Sequence, residues 1–234
     1  MKNQQYLMIG AGLVFGSLAA YMTKLGNPGN MGICVACFYR DITGALGLHR
    51  AEVVQYLRPE IMGLCLGAFV AALSFGEFRA RGGSNPLVRF ILGMFVMIGA
   101  LVFLGCPVRA VLRLAGGDLN ALYAIAGIIV GALIGIYFLK RGFNLGRTNS
   151  TYSIAGYLMP LIMAGLLIFA MVQPQFLFNS ESGPGSMHAS LAIALVVGLI
   201  IGFLAQKTRM CFVGGWRDLS LVKDFYLFSG IAAF

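Results

Sequence analysis

Long apolar runs alternate with short polar stretches along the whole chain, and this alternation limits its possible folds more than any other feature. Six runs, at about 6–25, 61–78, 87–104, 119–139, 153–172 and 189–206, are each roughly 18–22 residues long, the length at which a helix crosses about 30 Å of hydrocarbon. Of the 234 residues, 59% are hydrophobic and 11% charged, whereas a soluble chain carries about 25% charged residues. So little charge cannot cover a folded surface in water. The alternating strand segments of a membrane barrel, about ten residues each, are absent. The pattern predicts an all-α polytopic membrane protein.

A motif occurs twice. GICVACFYRD at 32–41 returns as RMCFVGGWRD at 209–218, with Cys34/Cys211, Tyr39/Trp216, Arg40/Arg217 and Asp41/Asp218 in register. An apolar run precedes each copy. Those two runs stand five crossings apart, an odd number, so the copies should enter the membrane from opposite faces. This predicts an inverted repeat, a plan used by many transporters, with the substrate site where the repeats meet. The expected division is a first repeat over 1–187, holding the first five spans, and the start of a second, inverted repeat over 188–234. The opening run, preceded by MKNQQ, has the look of a signal peptide, but its counterpart lies deep in the chain, where no signal sequence can be.

The runs are interrupted at places that also present sulfur. Pro107 has no N–H to continue a helix ladder, so the run 87–104 should break at Gly105-Cys106-Pro107. A short half-helix over 110–114 should follow, closed by Gly116-Gly117-Asp118. Similar breaks fall at 32–37 and 210–215, where glycine lets backbone approach closely. Inside a bilayer, interrupted helix is tolerated only when buried in protein or lining a cavity. Half-helix N-termini there would aim positive dipole ends at an anion. The expectation is of broken or re-entrant helices carrying cysteine motifs toward the membrane centre. A thiol is a weak, polarizable donor that can hold a soft sulfur- or selenium-bearing anion and still release it. Cys34, Cys37, Cys106 and Cys211 are therefore the candidate substrate-binding or relay residues, joined by Arg109, which has no adjacent acid.

Other features have plainer readings. Arg40 and Arg217 each carry their own aspartate and read as structural pairs. Cys65 reads as a small core hydrophobe, and Tyr39 and Trp216 as interfacial anchors. Gly127, Gly131 and Gly135 form a small-residue face suited to close helix packing. The stretch 42–60, ITGALGLHRAEVVQYLRPE, reads as a short amphipathic helix at the interface. The net charge of +9 is scattered through the loops, as the positive-inside bias gives, and implies no nucleic-acid partner. Loops 77–89 and 140–151 are basic and 173–187 has no Lys or Arg, which places the N-terminus in the cytoplasm. The loop with Lys24, Arg40, Arg50 and Arg58 then lies outside, against the rule. With two histidines and a single C-x-x-C, no metal site is expected, nor any cofactor or catalytic residue.

The segments GNPGNMGICVACFYRD, GCPVR followed by GGDLNA, and MCFVGGWRD resemble the YeeE/YedE family of bacterial inner-membrane proteins, and within it the selenium-associated YedE branch. The resemblance covers nearly the whole chain. It implies a transporter of thiosulfate or a related sulfur or selenium compound in the inner membrane. The anion would pass between cysteines by S–H···S contacts without covalent chemistry, with Cys34, Cys106 and Cys211 as relay positions. It also implies a TusA-like cytoplasmic sulfurtransferase as partner. The family's second half carries a further GCP-type motif, whose place, counted on from Cys211, falls beyond Phe234, so the chain reads as truncated. The alternative is a membrane thiol-disulfide oxidoreductase passing electrons from Cys34-x-x-Cys37 to a quinone. That enzyme needs a solvent-reachable dithiol of lowered pKa and a resolving pair, and the second motif holds only Cys211.

Overall fold

The computed structural model describes residues 2–83 and 85–234. Its helices are α1 (Lys2–Lys24), α2 (Val35–Ala45), α3 (Pro59–Ser74), α4 (Pro86–Val102), α5 (Pro107–Ala115), α6 (Ala121–Lys140), α7 (Ser153–Val172), α8 (Leu191–Thr208), α9 (Phe212–Leu221) and α10 (Tyr226–Ala233). A two-residue antiparallel ladder pairs β1 (Arg81–Gly82) with β2 (Asn149–Ser150) and joins the two basic loops. Among the described residues, six stretches are long and apolar enough to cross a membrane: Gln4–Lys24, Glu52–Ser74, Pro86–Ala115, Ala121–Lys140, Ser153–Val172 and Leu191–Leu221. The chain is thus a mostly helical, multi-pass membrane protein. Two of these stretches, Pro86–Ala115 and Leu191–Leu221, are each divided into two α-helices, α4 from α5 and α8 from α9.

Local chemistry accounts for the breaks. Proline opens α3, α4 and α5, at the helix start where its missing N–H is no loss. At the end of α4 the Gly105 N–H donates to the Ala100 carbonyl (2.7 Å) and the Leu104 N–H to the Leu101 carbonyl (3.1 Å). This double closure is the Schellman motif, and its left-handed position is usually glycine. Here it is Leu104, with φ 57°; α3, α5 and α6 place Gly76, Gly117 and Gly142 there.

The chain forms two compact units that alternate along the sequence: Met1–Ser17, Arg81–Thr151 and Thr208–Phe234 in one, Leu18–Ala80 and Tyr152–Lys207 in the other. In the first unit α5 packs on α6, and α9 packs on α5, α6 and α10. Rings of Phe15, Phe212 and Phe234 cluster there, with Phe212 and Phe234 centroids 5.0 Å apart. In the second unit α3 packs on α7, helped by the rings of Phe69, Phe78 and Tyr157.

The second unit also contains a close helix approach. A Cβ on Gly63 or Gly67 of α3 would collide with α8 backbone, and one on Gly198 or Gly202 of α8 with α3 backbone. Two small-xxx-small pairs therefore face each other. The α6 face expected to pack this way does not: a Cβ on Gly127, Gly131 or Gly135 would meet nothing within 4 Å. Glycine spacing identifies a face that can be approached, but a matching partner decides whether it is.

The expected interfacial helix over 42–60 is also corrected. Helix α2 ends at Ala45, and the chain continues through a single 3₁₀ turn, Glu52–Val54, into an extended buried segment over 55–58 that leads to α3. The residue before a proline is driven out of the helical region, and Arg58, ahead of Pro59, has φ −81° and ψ 102°. The loop between α7 and α8 covers this segment. Ser180 N–H donates to the Gln55 carbonyl, Gln55 N–H to Ser180 Oγ and Gly185 N–H to the Val53 carbonyl, each at 2.8 Å.

Candidate functional site

Three of the five cysteines occupy the same local position. Cys34 precedes α2, Cys106 precedes α5 and Cys211 precedes α9, each as the N-cap in extended backbone. Their carbonyls accept the first helical bonds, from Phe38 (2.9 Å), Ala110 (3.0 Å) and Gly215 (3.0 Å). A different feature enforces each start: Asn30 (φ 58°) in the turn before Cys34, Pro107 after Cys106, and Arg209 (φ 59°) before Cys211. At Cys211 the thiol sulfur also accepts the Gly214 N–H at 3.2 Å. The first N–H groups of a helix have no intrahelical partner, and the dipole there favours an anion by about 0.3–1 kcal/mol. A thiol at such a point adds a soft contact to a mildly positive one.

Cys34 and Cys37 lie in the second unit, one at the N-cap and one in the first turn of α2, both fully buried. Cys106, Arg109 and Cys211 lie in the first unit. There Pro107 and Val111 of α5 share a cavity of about 40 Å³ with Phe212 and Trp216 of α9, so the cysteine-headed ends of these two helices meet. A larger cavity of about 310 Å³ is walled by Phe103, Gly105, Cys106, Pro107 and Ala110, with Gly127 of α6 opposite. The open space beside Gly127 therefore belongs to the cavity beside Cys106. Cys106 is buried, Cys211 is exposed and Cys65 is half-buried; none of the five cysteines is in a disulfide.

Arg109 folds back across Gly105 and donates to the Leu104 carbonyl. One turn on, Arg113 Nη1 donates to the Phe103 carbonyl at 3.1 Å and Nε to Asp118 Oδ2 at 2.7 Å. Both arginines thus serve carbonyls left unpaired at the end of α4. At the far end of α5 the Arg113 hydrogen bond holds the Asp118 carboxyl below its ordinary value, helped by the Asn120 N–H. Trp216 packs its ring edge-on to Phe228, centroids 5.0 Å apart.

The Arg-Asp pair of the first motif belongs to a larger buried cluster. Arg40 holds Asp41 Oδ1 through Nε (3.1 Å) and Nη2 (2.7 Å). Arg58 holds Oδ2 through Nε and Nη2, both at 2.8 Å. Arg58 also donates to the carbonyls of Pro184 (2.7 Å) and Met187 (2.9 Å) and lies over the Phe38 and Tyr56 rings. Beside it, Asn27 donates to Glu60 Oε1 (2.8 Å) and to the Gly32 carbonyl (2.9 Å), and accepts the Ala189 N–H (2.9 Å). The sequence reading assigned no role to Asn27, Arg58 or Glu60. The available signal was Pro59 at a helix start, which places Glu60 inside the span and Arg58 just ahead of it.

No family model, no characterised protein and no solved structure matches this chain. Its class is set by its own features: a helical multi-pass membrane protein whose broken spans resume at cysteine-capped half-helices.

Proposed function

We propose that the chain is a transporter or channel for a small sulfur- or selenium-containing anion, of the thiosulfate kind, passed along cysteines in the bacterial inner membrane. One observation carries this reading: Cys34, Cys106 and Cys211 each cap the N-terminus of a short helix. Such a cap offers a polarizable S–H beside N–H groups and a positive dipole end. The contact is weak enough to release its cargo, as conduction through several sites requires. In this reading Cys106 faces the larger cavity, Cys37 lies one turn behind Cys34, and Arg109 supplies positive charge beside Cys106. The two motifs would be the halves of an inverted repeat, the N-terminus would be cytoplasmic, and a TusA-like sulfurtransferase would take up or deliver the cargo.

Burial of both Cys34 and Cys37 favours transport over dithiol catalysis, which needs a reachable thiolate. The test is uptake of labelled thiosulfate or a selenium anion by liposomes holding the full chain. Cys106→Ala and Cys211→Ala should each abolish uptake. Undiminished uptake by both variants would remove these cysteines from the mechanism.

A further inference from the structure

The two buried carboxylates of the second unit differ in one respect. Asp41 receives four charge-assisted contacts, two from each of two guanidinium groups. Glu60, only 2% exposed, receives one hydrogen bond to Oε1, from the neutral amide of Asn27. Its Oε2 is buried and has no hydrogen-bond partner among the described residues.

Among the described residues, no charged side chain hydrogen-bonds to Glu60, although Arg58 and His188 stand near enough to act on it through charge. Arg58, two positions earlier, donates to Asp41, Pro184 and Met187. Arg40, on α2, turns to Asp41. His188, which precedes α8, stacks on Tyr56 with centroids 4.0 Å apart and points Nδ1 at the Ala189 carbonyl. Helix α8 meets Glu60 through Gly198, against its backbone. An ionised carboxylate in a water-poor interior without hydrogen-bonded charge is strongly unfavourable, and such a group takes up a proton instead. Asp41, by contrast, has a guanidinium on each oxygen.

We propose that Glu60 is a proton-binding site: at neutral pH it stands as the neutral acid, Oε1 accepting from Asn27 and Oε2 carrying the proton. Within a membrane span, a carboxyl of this kind is the usual place for a proton to be held and exchanged. On release the O–H bond breaks, the electron pair stays on Oε2 and the proton passes to water. The carboxylate left behind then competes with Asp41 for Arg58. This holds whatever ion the cysteines carry.

The experiment is infrared spectroscopy of the full chain in lipid nanodiscs, with carbon-13 in the glutamate side-chain carboxyl, from acid to alkaline pH. The other glutamates, Glu52, Glu77 and Glu181, are exposed to solvent, which leaves Glu60 as the buried carboxyl that the label reports. A protonated-carboxyl C=O band that shifts with the label should therefore be present at neutral pH, vanish as pH rises, and be missing in Glu60→Gln. If that variant does not fold, the labelled wild-type spectrum decides alone. No label-sensitive protonated band at neutral pH, or one that persists in Glu60→Gln, would overturn the assignment.

Discussion

The two copies of the motif share a local structure and differ in their surroundings. In both, a cysteine caps a short helix and an arginine reaches its adjacent aspartate at 2.7 Å. In the first copy, Cys34 and Asp41 are fully buried and Arg58 supplies a second guanidinium. In the second, Cys211 is exposed, the Arg217 side chain is 51% exposed, and Asp218 pairs with Arg217. The sequence RD at a helix's second turn therefore fixes a pair, and the covering chain fixes its energy. A pair half in solvent contributes about 0–1 kcal/mol, whereas a buried one leaves an uncompensated charge when broken.

The largest test of this contrast is Asp41→Ala, which strands Arg58 in the interior and should lower stability by about 3–5 kcal/mol, read by denaturant unfolding in micelles. A loss below 1 kcal/mol would mean that the buried cluster is not what holds the first copy. Next is the cover itself. Ser180 Oγ accepts from the Gln55 N–H and donates to the Glu52 carbonyl. Ser180→Ala leaves a buried N–H unmet and should cost about 1–3 kcal/mol in the same assay. Asp218→Ala, in the second copy, should change stability by less than about 1 kcal/mol.

The smallest effect concerns α5. The Arg113 hydrogen bond depresses the Asp118 carboxyl, so its contribution is present above the ordinary carboxylate range and disappears as pH falls through the depressed value. Melting curves against pH should show wild type above Asp118→Asn at neutral pH, with the two converging in acid. Parallel curves at all pH values would assign no stability to that pair.

Much of this was legible in the sequence because its causes are local. Pro107 has no N–H, so the break after α4 was readable, and the half-helix with its Gly116-Gly117-Asp118 closure followed. The six spans followed from apolar length alone. What could not be read depended on partners distant in the chain. Residues 42–60 read as an amphipathic helix, but Pro59 extends Arg58 and the loop over 178–187 buries it, and nothing near Arg58 announces that loop. Likewise Gly127, Gly131 and Gly135 match a packing stripe as well as Gly63 and Gly67 do. Only the facing Gly198 and Gly202 separate the packed stripe from the open one. At the candidate site the sequence pointed to the cysteines and to positive helix ends, while Glu60 stayed hidden at the margin of its span.

In the proposed transport, the capped cysteines meet a soft anion. The direct measurement is the alkylation rate of each cysteine, read by mass spectrometry on the full chain in nanodiscs, with thiosulfate, with sulfate at equal ionic strength, and with neither. Without ligand, Cys211 should react fastest, with Cys34 and Cys37 slowest. Thiosulfate should slow Cys106 and Cys211 while sulfate leaves them unchanged. Equal rates at both positions under all conditions would contradict the account.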